Sequence, residues 1–141
     1  MIAVAGSWKQ NLGVISELTN DEFRVFLVGR KDRTRWDAAR LKWDADYDDP
    51  SSFLDIFANG SNQNDAEYNS SAFNNLIVQA RLEPQPSKRM MLLHNAEQVL
   101  MNDYPVIPIY FTRGRRLVKP FVGGAKINPI NRIYSKNLFW Q

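Results

Sequence analysis

Trp43-Asp44-Ala45-Asp46-Tyr47-Asp48-Asp49-Pro50 packs four carboxylates into eight positions with no lysine or arginine among them. Pro50 disfavours helical geometry at Asp49. Just upstream, Trp36 to Trp43 sets Ala39, Leu41 and Trp43 on one side and Ala38, Arg40 and Lys42 on the other, the alternation of a strand. The acids therefore stand where a strand gives way to a loop, and binding groups concentrate at such exits. Trp43 and Tyr47 flank them and exclude water, which strengthens the attraction between a carboxylate and a cation. A cation site is the functional reading of this stretch.

Two other readings use the same residues. In one the stretch is a solvated turn in which Asp48 or Asp49 caps a short helix from Ser52 to Phe57. In the other, Asp44, Asp46 and Asp48 hold positions one, three and five of a calcium loop with Asp55 at twelve. The glycine that such a loop needs at position six is here Asp49.

Working outward, Ala58 to Asn69 is rich in Asn, Ser, Asp and Gly and reads as a loop. Phe73, Leu76, Ile77 and Ala80 mark one helix face, and Glu83-Pro84-Gln85-Pro86 ends it. A longer helix from about Ser87 to Asp103 buries Leu93, Ala96 and Leu100, with Leu92 and Val99 beside them. His94 on that helix has no Ser, Cys or acid fixed beside it by the pattern. Tyr104 to Phe111 reads as an apolar edge strand because it contains Pro108. Turns are expected at Gly123-Gly124 and Asn128-Pro129, followed by the aromatic segment Leu138-Phe139-Trp140.

Upstream, residues 2 to 12 form a helix ended by Gly13, and Val14 to Leu18 alternates weakly as a strand. Thr19-Asn20-Asp21-Glu22 has the form of a capping box. It predicts a helix with Phe23, Phe26 and Leu27 on its apolar face, up to Gly29 or Arg30. The order is an α/β arrangement, but two or three strands make a thin sheet for this length.

At 141 residues, 44% hydrophobic and 23% charged, the chain is about one soluble globular domain long. Zero cysteines exclude disulfides and thiolate metal sites, and a single histidine excludes a multi-histidine cluster. No apolar run approaches the roughly 20 residues of a membrane span, and the first residues lack the pattern of a signal peptide. The net charge is +3; without the octapeptide, eighteen basic and eleven acidic residues remain, which is +7. From Arg113 to Gln141 there are seven basic residues and no acid. One alternative function follows: a small nucleic-acid-binding module using Arg113, Arg115, Arg116, Lys119, Phe121 and Tyr134. A second, an enzyme with Asp46 and Asp48 as acid and base, lacks a visible set of substrate-binding groups.

Five stretches in order, across nearly the whole chain, resemble the C-terminal part of the periplasmic oligopeptide-binding proteins, the family 5 solute receptors of peptide ABC importers. They are Ala5 to Val14, Leu18 to Phe23, Trp43 to Leu54, Ala96 to Leu100 with Val106 to Tyr110, and Arg116 to Gly124. The resemblance implies part of one lobe of a type II periplasmic-binding-protein fold, with a few-stranded sheet flanked by helices. Residues 1–112 would belong to the ligand-binding lobe and residues 113–141 would return to the other lobe. The chain would then be a fragment of a longer receptor.

By the same resemblance Asp46 pairs with the peptide α-amino group, and Lys42, Trp43 and Asp44 pair with the peptide backbone. Arg40 matches an arginine that meets the C-terminal carboxylate of a short peptide. Phe23 matches a pocket aromatic, and Arg30 a basic residue near the ligand. Asp44 departs from members that carry a cysteine there, and Thr112 stands where a tyrosine is frequent. The implied protein is periplasmic, has no catalytic activity and takes no cofactor. Its partners are short peptides, the remaining lobes of the receptor and a membrane permease, not nucleic acid. An isolated fragment would also self-associate through Leu138 to Trp140.

Overall fold

The computed structural model describes residues 1–32 and 34–141. It divides into two compact units, Met1–Lys42 and Trp43–Gln141.

The first unit carries two helices. α1 (Ile2–Leu12) stops at Gly13, whose φ of 69° is a left-handed conformation that glycine adopts without steric penalty. α2 (Phe23–Gly29) starts three residues beyond the point a capping box at Thr19 would set. Glu22 is itself the cap: its carboxylate accepts from the amides of Arg24 at 2.9 Å and Val25 at 3.4 Å. These are the free donors of the first turn, so the box is replaced by a single acceptor. At the other end, the Trp36 indole N–H donates to the Arg30 carbonyl at 3.1 Å. Among the described residues neither Val14 to Leu18 nor Trp36 to Trp43 forms a strand. Alternation favours a strand, but pairing makes one, and no described segment forms a ladder with either.

The second unit is built on a pair of helices. Behind the acidic stretch come α3 (Ser51–Leu54) and one tight turn of 3₁₀-helix, Asp55–Phe57. α4 (Ser71–Leu82) is capped by the Ser70 hydroxyl, and α5 (Pro86–Asp103) opens on Pro86, where a missing amide costs nothing. Phe73, Ile77 and Ala80 of α4 bury against Leu93, Ala96 and Leu100 of α5, and Leu54 and Ala58 close the cluster. Full burial of side chains such as Phe73, Ile77 and Leu93 contributes about 1.5–3 kcal/mol each. Tyr68 lies edge-on to Phe73, with ring centres 5.4 Å apart, and its hydroxyl donates to Asp103 at 2.6 Å. One side chain thus ties the loop before α4 to the end of α5.

Tyr104 to Phe111 is also without strand structure, although Val106 packs against the core. The sheet lies elsewhere. β1 (Val122–Gly123) pairs antiparallel with β2 (Phe139–Trp140), Val122 opposite Trp140 and Gly123 opposite Phe139. Gly123, expected in a turn, pairs with Phe139 in β1, and the Phe139 ring lies where a Cβ would be, so the position takes glycine. The reversal falls to Gly124, at φ 78°. Phe121 stacks on Trp140 at 4.4 Å, which is the surface the aromatic tail lies on.

Candidate functional site

The acidic octapeptide is folded onto the start of α3 by its own backbone. The amide of Asp46 donates to the Ser52 hydroxyl at 2.8 Å, and the amide of Ser52 donates to the Asp49 carbonyl at 3.0 Å. The Trp43 indole reaches the Ser52 carbonyl at 2.9 Å. Ser51 and Ser52 are both buried, so these polar contacts are sheltered from competing water.

The four acids then separate by role. One oxygen of Asp49 accepts from the Ser51 amide at 2.9 Å, as an N-terminal acceptor for α3, and both oxygens meet the Arg89 guanidinium, at 2.6 and 2.9 Å. The Arg89 hydrogen bonds, with those from Ser51, hold the Asp49 carboxyl well below the usual carboxylate range. Asp55, downstream, accepts from the Tyr47 hydroxyl at 3.2 Å and from Arg81 of α4 at 2.8 Å. Asp46 and Asp48 remain exposed.

Asp46 borders an open groove of about 280 Å³. Trp43, Tyr47 and Ile56 give it apolar walls, and Asp46, Asp55, Ser52, Ser61 and Gln63 give it polar ones. Such a mixture of a few polar groups on an apolar lining is what a small ligand site requires. An ammonium group entering it would meet two carboxylates. Asp55 is already neutralised by Arg81, so Asp46 is the acid that offers net charge.

Of the residues expected from the sequence, Trp43 and Asp46 are brought together here. Asp44 and Thr112 are exposed and do not line the groove. Phe23 is the exposed first residue of α2 and Arg30 caps its end, while Arg40 and Lys42 lie exposed near the end of the first unit. Four lining residues are not singled out by the sequence, Ser52, Ile56, Ser61 and Gln63, and Asp55 enters it only as a position of the calcium loop. Ser52 is the second residue beyond the acidic stretch, and Asp55 is one turn of helix beyond Ser51 and Ser52. Their nearness was the available signal. Ser61 and Gln63 sit in a loop whose polar composition hides any individual role. No three of the described acids and histidines gather at metal-binding distance, so the calcium reading has no ligand set among them.

No family model matches the chain. Over 139 residues, 98% of its length, it is 43% identical to the periplasmic oligopeptide-binding protein OppA of Salmonella typhimurium. The chain belongs to the periplasmic oligopeptide-binding protein family. The periplasmic murein peptide-binding protein MppA of Escherichia coli is 34% identical to it over the same share of the chain. The solved structure of Haemophilus influenzae OppA in complex with RPPGFSPFR superposes with a TM-score of 0.87 over 99% of the chain, at 32% identity. The chain spans about a quarter of the length of the oligopeptide-binding proteins it matches, 25% of the Salmonella protein and 28% of the Haemophilus one. Its fold is that of a segment of this family, helices with a small sheet.

Proposed function

We propose that this chain supplies part of the peptide site of a solute receptor serving a peptide ABC importer in the periplasm, and that Asp46 anchors the peptide α-amino group. One observation carries the reading: Asp46, an exposed residue, lines an open groove together with Trp43 and Tyr47, while Asp49 and Asp55 are engaged by Arg89 and Arg81. A buried ammonium must be matched by a charge and by hydrogen bonds. The names of the relatives, which are those of binding proteins, accord with a role without catalysis.

In this reading Lys42, Trp43 and Asp44 pair with the ligand backbone, adding it as a strand whatever its side chains. Arg40 meets the carboxylate of a short peptide, Phe23 lines a side-chain pocket, and Arg30 and Thr112 stand near the ligand. Residues 1–112 belong to the ligand lobe and residues 113–141 return to the other, with the permease as the downstream partner.

The test uses the Salmonella receptor carrying this chain, intact, in place of its matching segment. Trialanine and N-acetyl-trialanine are titrated by calorimetry. Much tighter binding of the free amine than of the acetylated form, weakened about 100-fold but still measurable in Asp46→Asn, is the expected result. Equal affinity for both forms sinks the anchor.

A further inference from the structure

We propose that Arg89 is a positioning residue for this site: its two-pronged ion pair with Asp49 sets the turn that carries Asp46, and so sets where the anchoring carboxylate stands. The inference rests on the reading of Asp46 as the anchor.

Capping α3 does not call for this pair. The Ser51 amide needs one acceptor, and an asparagine at position 49 supplies it. The second oxygen of Asp49 accepts from Arg89 at 2.6 Å. The two side chains are about a quarter exposed, at 28% and 27%, and the geometry is bidentate, so the pair is ordered and less screened than an ordinary surface contact.

Arg89 also stands on the right support. Leu93, Ala96 and Leu100, four, seven and eleven positions on, share its side of α5 and are buried against α4. The guanidinium is therefore carried by a helix packed into the core of the unit. From there the linkage is short. Asp49 holds the Ser52 amide through its carbonyl, Ser52 holds the Asp46 amide through its hydroxyl, and the Asp46 side chain projects from that amide's own residue. Releasing Asp49 frees the turn at its middle.

The receptor carrying the intact chain is titrated with trialanine as the parent, Asp46→Asn, Arg89→Gln, Arg89→Lys and the double variant Asp46→Asn/Arg89→Gln. Arg89→Gln is expected to weaken binding about 10-fold in the parent and to cost nothing in the Asp46→Asn background, where there is no carboxylate left to misplace. An equal cost in both backgrounds makes Arg89 a general structural support and overturns the proposal. Unchanged affinity in Arg89→Gln, with binding about 100-fold weaker in Asp46→Asn, overturns it too and leaves the anchor standing. If Asp46→Asn binds like the parent, the anchor falls and takes this inference with it. Should Arg89→Gln fold poorly, Arg89→Lys decides, because lysine keeps the charge but cannot fork onto both oxygens; parental affinity there counts against the geometry.

Discussion

The Arg89 guanidinium meets both oxygens of Asp49, forty positions earlier in the chain, at 2.6 and 2.9 Å. Asp49 is thereby kept ionised to lower pH in the folded state than in the unfolded one. For a carboxyl shifted downward, the stabilisation is complete above the unfolded value near 3.9 and drains away as the pH falls from there towards the folded one. The melting temperature of the chain should drop below about pH 4, and Asp49→Asn should flatten that part of the profile. An identical acid limb in both proteins would assign the loss to other carboxyls.

Phe73 is wholly buried at the centre of the helix pair and receives Tyr68 edge-on. Phe73→Ala should cost about 3–5 kcal/mol in urea unfolding, from lost transfer energy and the cavity left behind. A cost under about 1 kcal/mol would mean that the unit collapses around the gap, at odds with a close-packed core.

Gly124 has φ 78°, and a Cβ added there would collide with the Asn137 carbonyl oxygen. Gly124→Ala should therefore unlatch β2 from β1. Hydrogen exchange reads this directly: the Gln141 amide, which donates to the Phe121 carbonyl at 2.8 Å, should lose protection while the α5 amides keep theirs. Unchanged protection at Gln141 would show that the pairing tolerates the side chain.

Phe111 and Leu117 are fully exposed, and Ile107, Tyr110, Phe139 and Trp140 are more than half exposed. So much apolar surface favours association. Light scattering of the 141-residue chain at high concentration should report species larger than a monomer. The same preparation should bind trialanine more weakly than micromolar, because it provides only part of the wall that a peptide needs. A monomer with micromolar binding would contradict both expectations.

The helices of this chain are written in local signals: Gly13 ends α1, Ser70 and Pro86 start α4 and α5, and the apolar stripes of α4 and α5 name their buried residues in advance, whereas Phe23 and Leu27 of the α2 stripe are exposed. The strands are not local objects. Val14 to Leu18, Trp36 to Trp43 and Tyr104 to Phe111 alternate or are apolar as strands should be, yet form no ladder among the described residues. The ladder that does form joins Val122 to Trp140, a pairing that no short-range pattern foretells. The acidic stretch was legible as a candidate site from its charge and aromatic flanks. Which acid is spent on structure was not, because Arg89 is distant in sequence and reads as one more surface charge on a helix.

The acidic turn is moored twice. Asp49 is tied to Arg89 on α5, and Tyr47 is tied through Asp55 to Arg81 on α4. A single tether lets a loop swing about its attachment; two, made to different helices, resist torque. A cation drawn to Asp46 would thus pull against a frame and not against a hinge, and the load would pass into the packed helices instead of bending the loop that bears it.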